Sequence, residues 1–156
     1  MPYQRVPFIR TLTFALLVSL FPLLVQAQTS KEELQEVYLE MLEARNLNGF
    51  VDEDGDIQFE YMEKAYFIGV DENDPEFFRV VMFNIWPITD LLEGNKVLLA
   101  LDKVSRDHKV VKGYIHSENV WLAIEMFIPS PESAAGFLDR CLQSLEEAAL
   151  TFVEAM

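Results

Sequence analysis

The stretch Val120-Trp121-Leu122-Ala123-Ile124-Glu125-Met126-Phe127-Ile128 decides the fold class, because a large aliphatic side chain occupies every second position along it. One set of alternate positions is wholly aliphatic, which is typical of a strand with one face on the core. The other set carries Trp121 and Phe127. Two large aromatic side chains on the opposite face indicate a surface that a partner can contact, so these two residues are our candidate partner-binding residues.

Four further stretches predict strands that would pair with this one. Ile57 to Tyr61 alternates between apolar and polar residues, and Lys64 to Val70, Phe77 to Ile85 and Lys109 to His116 are rich in strand-forming residues. Both faces of the 77–86 stretch are largely apolar. We therefore expect the second face of the sheet to be covered, by one of the chain's own helices in preference to a partner or a second subunit.

Helical periodicity appears before, between and after these strands. Ser30-Lys31-Glu32-Glu33 is a capping box that begins the first helix, and Asn48-Gly49 is expected to end it. Apolar residues from Ile88 to Val104 predict a second helix, and a third follows Pro131. The prediction is an α+β domain, with an antiparallel twisted sheet of about five strands and helices packed on it, in the order α-β-β-β-α-β-β-α.

The N-terminal 27 residues have the composition of a cleaved export signal. Two arginines precede an apolar run from Thr11 to Val25, and Val25-Gln26-Ala27 places small residues where a signal peptidase cleaves. We predict cleavage between Ala27 and Gln28, which leaves residues 28–156 as a single domain. The 15-residue run falls short of the roughly 20 residues that span a bilayer, so the mature form is expected to have no membrane span and to be periplasmic or secreted.

The charge of the chain narrows the choice of partner. The sequence has 12 basic and 26 acidic residues, and since two of the basic ones lie in the leader, the expected mature net charge is −16. We do not expect a nucleic acid as partner, because binding to nucleic acid depends on Lys and Arg side chains that neutralise its phosphates. A cationic partner would be attracted, although an acidic surface that merely keeps the protein in solution explains the same composition.

Few residues suggest a metal site or a catalytic site. Asp52, Asp54, Asp56 and Glu63 fill the first, third, fifth and twelfth places of an EF-hand calcium loop, but the sixth place is Ile57 where glycine is needed. Asp54-Gly55 at the tip of a β-hairpin explains these residues better, and calcium remains a minor alternative. No other metal site, cofactor site or catalytic motif is predicted.

Two further features of the sequence bear on catalysis and on disulfide bonding: three polar residues close together, and a single cysteine. Ser105, Asp107 and His108 contain the residue types of a catalytic triad, but their adjacency in sequence says nothing about geometry. Cys141 is the only cysteine, so an intramolecular disulfide is impossible. It lies on the apolar stripe of the last predicted helix and is expected to be buried.

Several local features together resemble the YbjN-like proteins, bacterial domains that share the fold of type III secretion chaperones. They are Asn48-Gly49-Phe50, the run from Asp54 to Phe59 that leads into an alternating strand, an Asp-Pro followed by apolar residues, Asn95 in the central helix, and a strand pair before a long acidic helix. The resemblance covers about Ser30 to Phe152. It implies a twisted antiparallel sheet flanked by helices, and a small acidic homodimer that binds client segments without catalysis.

The functional expectation follows from these points together. We expect an exported, non-enzymatic acidic domain that engages a protein or peptide partner. An acidic inhibitor of a cationic secreted enzyme is the alternative, and a small hydrolase is motivated only by the abundance of carboxylates. The secretion chaperones act in the cytoplasm, whereas this chain has a predicted export signal. A secretion-chaperone role therefore does not follow from the resemblance.

Overall fold

The computed structural model describes residues 29–156. The predicted signal peptide, and its cleavage site at Ala27 and Gln28, lie outside these residues. The elements in chain order are α1 (Lys31–Glu43), β1 (Phe50–Val51), β2 (Ile57–Tyr61), β3 (Lys64–Ile68), β4 (Phe77–Pro87), α2 (Leu91–Asp107), β5 (Val111–His116), β6 (Asn119–Phe127), a 3-10 helix (Pro131–Gly136) and α3 (Leu138–Ala155).

The strands form one antiparallel sheet in the order β1-β2-β3-β4-β6-β5. The predicted α+β class and the order of the elements are confirmed. The sheet has six strands instead of about five because a two-residue strand, β1, pairs with the start of β2. So short a strand has no alternation of its own and leaves almost no periodic signal in the sequence.

Helices pack on one face of the sheet and enclose the core. The buried side chains of β2, β3, β4 and β6 on that face alternate, as the period of two requires. They contact the buried stripes of α1, α2 and α3, and Tyr38 and Phe78 meet edge to face with ring centroids 5.9 Å apart. Burial raises the pKa of Tyr38 to about 12. Within residues 29–156 no helix is both long and apolar enough to cross a membrane.

The first helix begins as predicted and ends earlier. The Ser30 hydroxyl accepts a hydrogen bond from the Glu33 N–H, and the Glu33 carboxylate accepts one from the Ser30 N–H, so the capping box is complete. The expectation that Asn48-Gly49 ends the helix is wrong: α1 ends at Glu43, and Asn46 takes the left-handed conformation with φ of 58°. Gly49 serves close packing instead, since a Cβ there would lie 2.7 Å from the Leu42 side chain.

Polar side chains tie α3 to the rest of the domain. Glu146 of α3 accepts a hydrogen bond from the Tyr66 hydroxyl of β3 at 2.6 Å and forms a salt bridge with Lys64. In the first turn of the helix, Asp139 forms a 2.7 Å salt bridge with Arg45, which follows α1. The long acidic helix is therefore fixed at its N-terminal end and at its middle.

Candidate partner-binding face

The face of the sheet opposite the helices carries a cluster of rings, which we call the aromatic face: Phe67 of β3, Phe83 of β4, Tyr114 and His116 of β5, and Trp121 of β6. Trp121 lies at the centre of the cluster. Its ring centroid is 5.8 Å from that of Phe67, 5.7 Å from that of Phe83, 6.1 Å from that of Tyr114 and 4.4 Å from that of His116. All five side chains keep part of their surface in solvent.

No helix among residues 29–156 lies over this face. The ring cluster is separate from the core cluster, and so are Val81 and Ala123, two fully buried side chains on the same face of the sheet. The expectation that one of the chain's own helices covers the second face is therefore wrong for the described part of the chain. All three α-helices contact the opposite side, which leaves the aromatic face open to a partner.

Charged groups sit among the rings and fix their positions. The Arg79 guanidinium lies 5.6 Å from the centroid of the Phe67 ring, and its Nη2 donates a 2.7 Å hydrogen bond to the Tyr114 hydroxyl. Its Nε lies 3.4 Å from a Glu125 carboxylate oxygen but is buried without a well-aligned hydrogen bond. Lys112 approaches the same carboxylate from β5 at 3.2 Å. The aromatic face thus contains a guanidinium held beside a partly exposed ring.

The Trp121 indole is oriented by an irregularity in β4. Its Nε1–H donates to the Asn84 side-chain oxygen at 3.2 Å. Asn84 has φ of 53° and lies where the register between β4 and β6 shifts, between Met82 and Trp86. Bulges of this kind re-aim side chains, so the bulge holds the indole edge at a defined angle on the open face.

The second candidate residue, Phe127, lies on the same face as Trp121 but not beside it. The two residues are six positions apart in β6, which corresponds to about 20 Å along an extended strand. Phe127 is 78% exposed and packs edge to face on Phe77 at 5.7 Å. The structure therefore places the two candidates at the centre and at one end of a single open face.

Two acidic turns flank the Phe77 and Phe127 rings. The β1–β2 turn holds four carboxylates, and the β3–β4 loop holds four more; none of these eight forms a salt bridge with another described residue. The Asp56 carboxylate joins the two segments by accepting a hydrogen bond from the Val70 N–H at 2.9 Å. The Ile128 N–H donates to the Glu76 carbonyl at 2.8 Å, which brings the loop beside Phe127. This end of the sheet is strongly negative.

The geometry of the acidic hairpin argues against the EF-hand. Asp52 Oδ1 accepts hydrogen bonds from the Asp54 and Asp56 N–H groups at 3.0 Å, and Gly55 has φ of +86°, as a tight turn requires. Glu63 belongs to the β2–β3 turn at the opposite end of β2. Within residues 29–156 no three His, Cys, Asp or Glu side chains are arranged to hold a metal ion. The hairpin interpretation is confirmed, and the four carboxylates are not brought together.

Ser105, Asp107 and His108 do not form a catalytic triad in the structure either. The Ser105 hydroxyl donates to the Leu101 carbonyl, and Asp107 pairs with a lysine one turn earlier on α2. The His108 ring lies 2.9 Å from the hydroxyl of Thr151 on α3. Each side chain therefore has a structural partner of its own.

Cys141 is buried as expected, with 4% of its surface exposed. Burial raises the pKa of its thiol to about 11, so the thiolate is scarce at neutral pH.

Sequence reasoning found Trp121 but missed most of the rings that surround it. The signal was present, since the period of two also places Phe67, Phe83 and Tyr114 opposite the core side chains of their own strands. The periodicity of one strand does not show which other strands pair with it. Only the register between β3, β4, β6 and β5 brings the rings together.

Comparison with known proteins gives a match in fold. No protein-family model and no curated protein matches the sequence. The chain is similar in structure to the crystal structure of YbjN from E. coli, with a TM-score of 0.53 over 77% of this chain and 89% of that one, at 12% sequence identity. The fold is YbjN-like. The resemblance inferred from short sequence features is thereby confirmed at the level of architecture.

Proposed function

We propose that this protein is a non-enzymatic binding domain that holds a protein or peptide segment against the aromatic face. The observation that carries the proposal is the ring cluster around Trp121, which no described helix covers. A contiguous apolar patch rimmed by polar groups is typical of an interaction surface. Tyr and Trp rings with a nearby arginine are also the side chains most enriched at the energetic centres of interfaces.

The partner segment is cationic and carries apolar side chains. Eight carboxylates at one end of the sheet have no salt-bridge partner in the described part of the chain, and they flank the exposed Phe127 ring. Opposite charge steers encounter and suppresses acidic competitors, while the rings supply the apolar contact. An acidic inhibitor of a cationic secreted enzyme would use the same surface.

The domain acts outside the cytoplasm, as a periplasmic or secreted protein. The support is the leader-like composition of residues 1–27, with its two arginines, apolar run and small residues before Gln28. Mass spectrometry of the protein that accumulates in cells, recovered from the envelope fraction, should show an N terminus at Gln28. Intact residues 1–27 on protein confined to the cytosol would contradict export.

The similarity to YbjN does not by itself assign a role. YbjN is described as a candidate transcription regulator, and a net charge of −14 on the present chain disfavours direct contact with DNA. A role through protein contacts remains compatible with both the fold and the charge. The contacts of Ser105, Asp107 and His108 with structural partners also favour binding over catalysis.

Intrinsic tryptophan fluorescence tests the proposal directly. The chain has two tryptophans, and Trp86 packs on the core side against Phe152 with ring centroids 6.2 Å apart, so Trp121 is the one that a ligand on the open face would contact. We expect a synthetic peptide that alternates Phe with Lys to shift the emission of the protein. The apparent affinity should fall as salt is raised, because charge complementarity contributes to binding.

Matched variants separate binding from folding. Trp121→Phe should abolish the emission shift, and Phe127→Ser should weaken binding at least about tenfold, since an exposed ring is lost from the contact. Leu150→Ser on α3, 62% exposed and away from the rings, is the control and should bind normally. Equal binding of a peptide that alternates Phe with Glu would remove the charge component of the proposal.

Photo-crosslinking in cells is the second arm. A photoreactive side chain at position 127 should capture a specific envelope protein, and the same group at position 150 should not. Capture of identical products from both positions, or of nothing from position 127 in cells that express the protein, would contradict a partner on this face.

A further inference from the structure

A cleft opens at one end of the core, between the connection from α2 to β5 and the first turns of α3. β5 begins at Val111, which pairs with Ile124 of β6, so the last residues of β6 have no neighbouring strand on that side. α2 ends nearby at Asp107, and the three residues after it belong to no helix or strand. The cleft that remains has a volume of about 500 Å³, which is within the range of small-molecule sites.

The floor of this cleft is apolar. Val111, Ile124 and Cys141 line it and are themselves buried. Met126 and Phe137 line it as well and keep part of their surface in solvent. An unbranched methionine side chain adapts to irregular apolar shapes. The floor therefore suits a flexible alkyl chain.

Two exposed cations, Lys109 and Arg140, line the same cleft. Ten Lys and Arg residues lie between residues 29 and 156, and six of them form salt bridges with acidic residues of that range. A seventh, Lys31, donates to the Asp54 carbonyl. Of the three that remain, two line this cleft, although the chain carries a net charge of −14.

Arg140 lies at an unfavourable place in its own helix. α3 begins at Leu138, so Arg140 is in the first turn, where the helix macrodipole is positive and a basic side chain is disfavoured. It is also the only basic residue of α3. Asp139, the acidic residue of that turn, pairs with Arg45 instead. An anion in the cleft would compensate for this placement, because the guanidinium attracts it and the cleft supplies no other counter-ion for Arg140.

The other ionisable side chains of the cleft have partners of their own. Asp107 forms a salt bridge with a lysine of α2, and Glu147 accepts a 2.9 Å hydrogen bond from the Gln143 amide. The His108 ring lies 2.9 Å from the Thr151 hydroxyl. Lys109 and Arg140 are therefore the charged groups of this lining that have no salt bridge or side-chain hydrogen bond in the described part of the chain.

We propose that the cleft binds a medium-chain carboxylate. Its alkyl chain lies over Val111, Ile124 and Met126, and its head group lies between Lys109 and Arg140. A carboxylate matches the guanidinium fork, which can donate two parallel hydrogen bonds to it. Ile124 and Met126 belong to the sheet face that packs on the helices, so this site is separate from the aromatic face and does not depend on the function proposed above.

Isothermal titration calorimetry with decanoate tests the proposal. At about pH 7 the carboxylate is ionised, and we expect one site with a dissociation constant on the order of 10–100 μM. Octanoate should bind about tenfold more weakly, because two methylene groups are lost from the apolar contact. Decyltrimethylammonium, with a chain of the same length and the opposite charge, should not compete with decanoate. Neither tryptophan lines the cleft, so the tryptophan emission should stay constant during the decanoate titration.

Variants separate the head-group contacts from the apolar contacts. Arg140→Gln should weaken decanoate binding at least about tenfold, because a charge-assisted hydrogen bond is lost. Lys96→Gln is the matched control, since Lys96 is exposed on α2, forms no salt bridge in the described part of the chain and lies outside the cleft; its affinity should equal that of the wild type. Ser144→Phe keeps both cations and places a ring in the cleft, so it should also weaken binding at least about tenfold, with circular dichroism melting to confirm the fold.

Four results would overturn the proposal. The first is the absence of binding at about 1 mM decanoate. The second is an equal affinity of the wild type and the double variant Lys109→Gln, Arg140→Gln. The third is an equal loss of affinity in Lys96→Gln, which would indicate a general effect of charge. The fourth is an emission shift with decanoate that Trp121→Phe removes, which would place the carboxylate on the aromatic face.

Discussion

Replacement of Glu146 by alanine should lower the free energy of unfolding by more than its own contacts contribute, because it leaves the buried hydroxyl of Tyr66 without an acceptor. The Tyr66 side chain is fully buried, and its hydroxyl donates to Glu146 at 2.6 Å. A buried donor left without an acceptor costs about 1–3 kcal/mol. The salt bridge to Lys64 adds little, since the Lys64 side chain is 39% exposed and solvent screens the pair. We therefore expect Glu146→Ala to lower the free energy of unfolding by about 2–3 kcal/mol.

The companion substitution Tyr66→Phe should cost less, about 1–1.5 kcal/mol, because Glu146 keeps Lys64 as a partner and reaches solvent. The double variant removes both the donor and the acceptor. It should be more stable than Glu146→Ala alone by about 1 kcal/mol, since no hydroxyl is then left without a partner. The sign of that difference follows from the burial of Tyr66 and not from the strength of the bond.

Urea unfolding at neutral pH, followed by tryptophan fluorescence, measures all three variants against the wild type. Lys64→Met is the control, with an expected change below about 0.5 kcal/mol. If the double variant is less stable than Glu146→Ala by the full cost of Tyr66→Phe, the two effects are additive. The hydroxyl would then find water when Glu146 is removed, and the reasoning from burial would be refuted.

Three other predictions concern single positions. Gly55→Ala should destabilise the domain by about 1–2 kcal/mol, because φ of +86° is strained for alanine, whereas Gly136→Ala, with open space around its Cα, should be neutral in the same thermal melt. Burial raises the pKa of Asp56 in the folded state, so the ionised form of its carboxyl group is disfavoured there. The free energy of unfolding therefore falls as the pH rises through that pKa. Asp56→Asn, which keeps the acceptor for Val70, should be more stable than wild type at about pH 7 and equal to it near pH 3 in urea titrations, and an unchanged difference across this range would contradict the burial argument. Because burial raises the pKa of the Cys141 thiol to about 11, a thiol reagent at about pH 8 should label Cys141 only after unfolding, and rapid labelling of the native protein would show that the site opens.

The strands were predictable because a period of two is a local property of the chain. The alternation from Val120 to Ile128 already separates the core side chains of β6 from Trp121 and Phe127. Likewise, the capping box at Ser30 and the Asp54-Gly55 turn depend on residues within four positions of one another, and both are present in the structure. Local chemistry was sufficient for these elements.

The outward side of α2 was not predictable in the same way. Leu91, Leu98 and Leu99 repeat at helical spacing, but so do Val97 and Val104, so the helix is apolar on two sides. The side that packs depends on contacts distant in sequence: Leu101 lies against Gly113 of β5, where a Cβ would be 2.5 Å from the Leu101 side chain. Whether the second sheet face is covered depends equally on the path of the chain, which no single segment encodes.

The separation of the two sheet faces has a consequence for how such a domain diversifies. Substitutions at Phe67, Tyr114 or Trp121 alter a layer that the core does not share, while the side chains under the helices preserve the architecture. Substitutions at these ring positions therefore change the open face of the sheet and leave the scaffold constant. In this architecture, the stability of the domain and the surface that it presents depend on alternate residues of the same strands.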